Sequence, residues 1–174
     1  MNRAGAERLR IAVIGGGTGS YTVLCGLKTH PVDLTAIVSV LDDGGSSGRL
    51  RDEFGHLPPG DVRRCLLALA ADDDVSQLLR QLFEYRFERG AGLNGHSVGN
   101  LLLTDLIEIA GELEGAIRSA TRLLNVRGDV IPVTLGESCL CARLADGRFL
   151  AGESNIDLRR LHPAESIRRS ARVA

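Results

Sequence analysis

LRIAVIGGGTGSYTVLCGLKTHPVDLTAIVSV, residues 9–40, decides the fold. Leu9 to Ile14 is a short, mostly apolar run of the kind buried on both faces of a parallel sheet. Gly15, Gly16, Gly17, Thr18 and Gly19 follow as a turn, and about Ser20 to Thr29 reads as a helix ended by Pro31. Leu34 to Val40 is a second, β-branched strand. Strand, helix and strand make a βαβ unit, whose crossover is almost always right-handed. The fold class is therefore α/β with a mainly parallel sheet.

Outward from this unit, Asp42 to Gly60 is rich in Gly, Asp, Ser and Pro and offers little for a core, so it reads as a functional loop with some helix around Arg49 to Phe54. Val62, Cys65, Leu66 and Leu69 then recur at helical spacing, as do Val75, Leu78, Leu79, Leu82 and Phe83. After the polar break Asn94 to Ser97, Leu101 to Ala110 and Leu113 to Leu124 read as two helices jointed at Gly111. Val130 to Val133, Cys139 to Leu144 and Arg148 to Ala151 read as strands, with Asp146-Gly147 as a hairpin turn. Beyond Ile156 the pattern weakens into an arginine-rich run.

Four segments carry chemistry. The glycine turn Gly15 to Gly19 lets the backbone approach a ligand, and the amides of the next helix then face an anion. It is neither a Walker A loop nor a clean dinucleotide fingerprint, and its plain alternative is a tight strand-to-helix turn. Asp42, Asp43, Ser46 and Ser47 lie in a Gly-rich run at the carboxyl end of the second strand, ending in Arg49. Ligands of open α/β sheets bind at that edge. The two carboxylates suit Mg²⁺ or sugar hydroxyls, and the serines and arginine suit phosphate. A solvated turn is the plain alternative. Asp61 suits a helix N-cap, while Arg63 and Arg64 at a helix start oppose its dipole unless an anion is near. His96, Ser97 and Asn100 enter a helix and offer a second anion site, or simply a cap. Gly95 and Gly99 give Ser97 the spacing of a nucleophile elbow, but no apolar strand precedes it, so serine hydrolysis is set aside.

The 174 residues suit a single domain, residues 1–174, with a real core. A net charge of -1, 3% aromatic residues and no Trp argue against nucleic-acid binding. Cys25, Cys65, Cys139 and Cys141 form no CxxC pair and read as buried, reduced thiols. Met1 to Arg10 is charged with no apolar core, and no run approaches a membrane span. A cytoplasmic location without a membrane span is the expectation.

IGGGTGSYTVLCGLK, SVLDDGGSSGRLRDEF, PPGDVRRCLLALA, LFEYRF and LNGHSVGNLLLTDL, in this order, resemble the gluconeogenesis factor family and its relatives, the 2-phospho-L-lactate transferases. The match spans about Ile11 to Leu106 and continues in VIPVT near Val130. Arg64 and Val98 depart from the Asn and Phe usual in the family. The resemblance implies a Rossmann-like three-layer sandwich and a UDP-sugar or other nucleotide ligand lined by the Gly15–Gly19 turn, Asp42, Asp43, Ser46, Ser47 and Asn100. It also implies a longer family chain, of which this is the N-terminal part. Two functions remain open. One is a UDP-sugar-binding regulator acting in carbon metabolism, cell shape and wall synthesis, without turnover. The other is a transferase moving a phospholactyl group to a deazaflavin, with Mg²⁺ on Asp42 and Asp43. Either fits a homo-oligomer.

Overall fold

A computed structural model describes residues 8–56, 59–136, 138–144 and 146–156. The apolar run at the start forms β1 (Leu9–Gly15), and the glycine turn passes directly into α1 (Gly17–Leu27). The helix thus begins three residues before Ser20, because Gly16 itself is the N-cap and Gly17 to Gly19 make its first turn. β2 (Val32–Val38) pairs in parallel with β1, Leu9 opposite Val32 and Gly15 opposite Val38.

α2 (Gly45–Phe54) replaces much of the expected loop. Its sequence lacks an apolar stripe, which hides it from periodicity, yet Leu50, Ser46 and Ser47 are buried on its inner face. α3 (Gly60–Leu69) follows, and α4 (Asp74–Glu84) is capped by Asp73, whose carboxylate accepts from the Ser76 amide at 2.9 Å. α5 (Val98–Ala110) and α6 (Leu113–Leu123) are jointed at Gly111, as the spacing predicts. β3 (Asp129–Pro132) then returns to pair in parallel with β2. β4 (Cys141–Arg143) and β5 (Phe149–Ala151) form a separate antiparallel hairpin, followed by the short α7 (Glu153–Ile156).

The main sheet has the order β1-β2-β3. Alternation along the strands sorts its two faces. Leu34, Ala36, Val38 and Val130 are buried in one core with Leu24 of α1 and Val62, Leu66 and Leu69 of α3. α4, α5 and α6 lie beyond, contributing Phe83, Leu103 and Ala116 to the same core. The opposite face carries Ile14 and Ile131, which are exposed among the described residues. Burying the core side chains at about 1.5–3 kcal/mol each is what opposes chain entropy and holds β1 and β2 ends in register.

All four cysteines are free. Cys65 is buried and Cys25 partly so, but Cys139 and Cys141 are exposed, against the expectation of buried thiols. Cys141 opens the two-stranded β4–β5 hairpin, and Cys139 lies just before it. No described helix is long and apolar enough to cross a membrane. The arginine-rich run after Ile156 falls outside the described residues.

Candidate functional site

The carboxyl ends of β1 and β2 open into a cavity of about 770 Å³. The strand ends place Gly16, Gly17, Ser39, Asp42 and Asp43 on its wall. α3 adds Asp61 and Arg64 from one side. Leu140, Ser154 and Ile156 close it from the hairpin side. Sheet edge and volume are those of a small-molecule site, for which about 300–1,000 Å³ is usual.

Gly16 and Gly17 are required by geometry. A Cβ on Gly16 would fall on the Asp61 carboxylate, and Gly17 has φ +66°, a conformation L side chains rarely adopt. The N-cap Gly16 has no side chain to offer the first-turn amides of α1, which need partners from elsewhere. One of them, the Gly17 N–H, donates to Asp61. Asp61 is thus not the N-cap of α3, a position that Pro59 fills. Its carboxylate instead reaches across to the glycine turn. Burial pushes the Asp61 carboxyl above its ordinary value, and the neighbouring Asp42 adds to this, against the Gly17 hydrogen bond and the charges of Arg64 and Arg63.

The adjacent carboxylates diverge. Asp42 accepts from the Gly44 amide at 3.0 Å and faces the start of α3 at Gly60. Asp43 faces the hairpin, accepting from the Ser154 amide at 2.8 Å and from the Ser154 hydroxyl. Burial works to raise the Asp43 carboxyl, but the Ser154 bonds, the Arg51 charge and the Glu153 amide hold it below its ordinary value. Among the described residues no three His, Cys, Asp or Glu side chains cluster as a metal centre. A cation here would rest on one or two carboxylates and on the ligand's own phosphates, the usual arrangement for Mg²⁺. Of the two, Asp42 has more of its carboxylate to offer.

Ser46, Ser47, Arg63, His96, Ser97 and Asn100 form a second group, buried behind this cavity. The Asn100 amide donates to Ser46 Oγ at 3.2 Å and to Ser47 Oγ at 3.4 Å, and its Oδ1 accepts from Arg63 Nε at 2.8 Å. Ser46 Oγ lies 2.9 Å from His96 Nδ1. Ser97 caps α5, its Oγ accepting from the Asn100 amide at 3.2 Å. The network locks α2, α3 and α5 together, so that α2 presents Asp42 to Gly44 at its head. Burial, then Arg64 and Arg86, bring the Arg63 guanidinium down to about 10. Thr18 is exposed and accepts from Arg64 at 3.3 Å, beside a smaller pocket that Arg63 also lines, and Gly19 faces open space.

Sequence reasoning did not single out Ser39, Leu140 or Ser154 for the cavity. Ser39 follows β2 directly, so its place at the sheet edge was a usable signal. Ser154 lies 111 residues from Asp43, and no spacing rule joins them.

The family model described as "2-phospho-L-lactate transferase CofD" matches residues 11–173. A relative from Nostoc is 58% identical over 147 residues, covering 84% of this chain and 32% of its own. The gluconeogenesis factor of Bacillus subtilis is 49% identical over 150 residues, covering 86% of this chain and 46% of its own. A crystal structure of a Bacillus halodurans protein superposes with a TM-score of 0.82 at 49% identity, over 86% of this chain and 47% of that one. The chain thus spans half or less of the length of these relatives.

Proposed function

The chain belongs to the 2-phospho-L-lactate transferase CofD family, and from that premise we propose that it binds a nucleotide sugar of the UDP-sugar type in the cavity between β1, β2 and α3. The observation that carries this reading is the convergence of the Gly16–Gly17 turn, Arg64, Asp42 and Asp43 on one cavity. The diphosphate lies at the α1 N-terminus and Arg64, where amides and a guanidinium supply donors. The carboxylates accept from ribose or sugar hydroxyls, or share a Mg²⁺ with the phosphates. Ser46, Ser47, His96, Ser97, Asn100 and Arg63 support the site from behind, and Thr18 and Gly19 shape the turn. The residues form one domain of the nucleotide-binding type. The name shared by the relatives, gluconeogenesis factor, supports a role in carbon metabolism. The same proposal takes the chain as a regulator that acts also in cell shape and cell wall synthesis in the cytoplasm, alone or as a homo-oligomer.

A second reading is a transferase that moves a phospholactyl group to a deazaflavin. It draws on the family description and on the carboxylates beside Arg64. Phosphoryl-type transfer needs mainly positioning and charge, so it requires no protein nucleophile.

Thermal unfolding with and without UDP-N-acetylglucosamine separates the readings. A ligand at about 100 times its Kd stabilises by roughly 2.7 kcal/mol, several degrees for a chain of this size. A shift upholds the nucleotide-sugar reading. A shift only with a guanine nucleotide and Mg²⁺ moves the assignment to the transferase. No shift with either overturns both.

A further inference from the structure

Cys139 and Cys141 stand two residues apart where the chain enters β4, and both are exposed. Residues i and i+2 of an extended segment point to the same side. The Cys139 thiol donates to the Leu140 carbonyl at 3.5 Å, and it also interacts with the Cys141 thiol. Leu140 between them lines the nucleotide-side cavity, and its carbonyl accepts from the Gly152 amide at 2.8 Å. Cys139 itself lines a different cavity of about 930 Å³, where it interacts with the Arg51 guanidinium. Two exposed thiols on one side of a strand therefore flank a wall residue of the candidate site.

We infer that Cys139 and Cys141 form a thiol–disulfide site, in which a hydroperoxide-class oxidant closes an intramolecular disulfide that displaces Leu140 and the Gly152 amide. The inference goes beyond the ligand reading and stands without it. Cys139 lines the 930 Å³ cavity and Cys141 does not, so a peroxide entering there meets Cys139 first, which places the attacking sulfur at Cys139. The Cys141 thiol is pushed above its ordinary range, by desolvation first and then by Cys139, which suits the resolving role. Cys139 sulfur attacks a peroxide oxygen: an S–O bond forms, the O–O bond breaks, and water or an alcohol leaves with the thiol proton. Cys141 sulfur then attacks the sulfenic sulfur: the S–S bond forms, the S–O bond breaks, and water leaves. The two sulfurs lose two electrons and the peroxide gains them.

The closure has a mechanical consequence. Two residues of extended chain span about 6.6–6.8 Å between Cα atoms. A disulfide accepts at most about 6.8 Å and prefers about 5.5–6 Å. Closing the bond therefore shortens the segment by up to about an ångström. Leu140 and its bond to Gly152 lie inside that segment's reach, and Ser154, which holds Asp43, follows two residues later.

The reduced protein is treated with hydrogen peroxide, alkylated in denaturant, and digested with trypsin. Both cysteines fall in the one peptide spanning residues 128–143. The expected product is that peptide lighter by two hydrogens, unalkylated, and restored by dithiothreitol. Cys141→Ser should trap a dimedone-reactive sulfenic acid at Cys139, and Cys139→Ser should give neither product. Hydrogen exchange at the Gly152 amide should rise about tenfold on oxidation of the wild type and stay constant in Cys141→Ser. Full alkylation of both thiols after peroxide, links between chains, or separate sulfonic acids would overturn the site. A disulfide formed with no change at Gly152 would overturn its transmission to the cavity.

Discussion

The Ser154 amide donates to the Asp43 carboxylate at 2.8 Å, joining residues 111 apart in sequence. Asp43 follows β2 of the main sheet, and Ser154 is the second residue of α7, which follows the β4–β5 hairpin. The two sheets share no ladder among the described residues, so this side-chain bond is a principal tie between them. It also aims one of the two adjacent carboxylates away from the other.

Asp43→Ala should loosen the hairpin without unfolding the core. Loss of a capping carboxylate costs about 1 kcal/mol. Hydrogen exchange should therefore speed up through residues 149–154 while the buried amides of α3 keep their protection. The wild type should show the same loosening in acid. The folded-state pKa of Asp43 lies below the ordinary 3.8, so its contribution is complete above 3.8 and lost as pH falls through the folded value. Unchanged exchange at residues 149–154 in the variant would mean the hairpin is held by other contacts.

His96 should make stability depend on pH near neutrality. Its ring is buried against Ser46 Oγ at 2.9 Å. Desolvation first, and then the Arg49 charge, hold it below its ordinary 6.5. The unfolded chain therefore binds a proton that the folded one refuses, and stability falls as pH drops below 6.5 toward the folded value. Denaturant midpoints between about pH 7 and pH 5 should decline, and His96→Gln should flatten the decline. An equal slope in both proteins would locate the titrating group elsewhere.

Gly16→Ala should damage the site where Gly19→Ala does not. Gly16 has an extended φ of -146°, which alanine tolerates, so the obstacle is steric. A Cβ there meets the Asp61 carboxylate, which would have to give up the Gly17 amide. Such overpacking costs about 1–3 kcal/mol. Gly19 lies within α1 with nothing near its would-be Cβ, and alanine there should stabilise by about 0.5–1 kcal/mol. Melting temperatures of the two variants moving in the same direction would contradict this geometry.

The βαβ start, the helices of α4 to α6 and the hairpin turn were legible because each has an apolar period or a strong turn signal. α2 was mostly hidden, since Ser46 and Ser47 face Asn100 of α5, and Gly48 the Asp43 backbone, where apolar side chains would have announced a helix. The glycine turn and Asp42–Asp43 were legible from their place after strands. What spacing could not tell was which polar groups share a wall. Ser46, Ser47, His96 and Asn100 read like ligand donors in sequence, yet they satisfy one another in the interior. Asp61 read like a cap because caps are local, whereas its partner Gly17 lies on another element.

Arg64 is the basic side chain on the cavity wall and gives the most direct test of ligand contact. Its bond to Thr18 Oγ1, 3.3 Å long and exposed, contributes little to folding. Arg64→Ala should therefore leave stability within about 0.5 kcal/mol of wild type. A guanidinium bound to a diphosphate is different: a hydrogen bond to a charged group is worth about 1.5–3 kcal/mol. Affinity for UDP-N-acetylglucosamine, measured by calorimetry, should fall by roughly 10- to 150-fold. Arg64→Lys should recover part of this, keeping the charge but losing the two-pronged geometry. If Arg64→Ala instead lowers the melting temperature and leaves affinity unchanged, the arginine serves the α1–α3 contact, and the phosphates must rest on the helix amides alone.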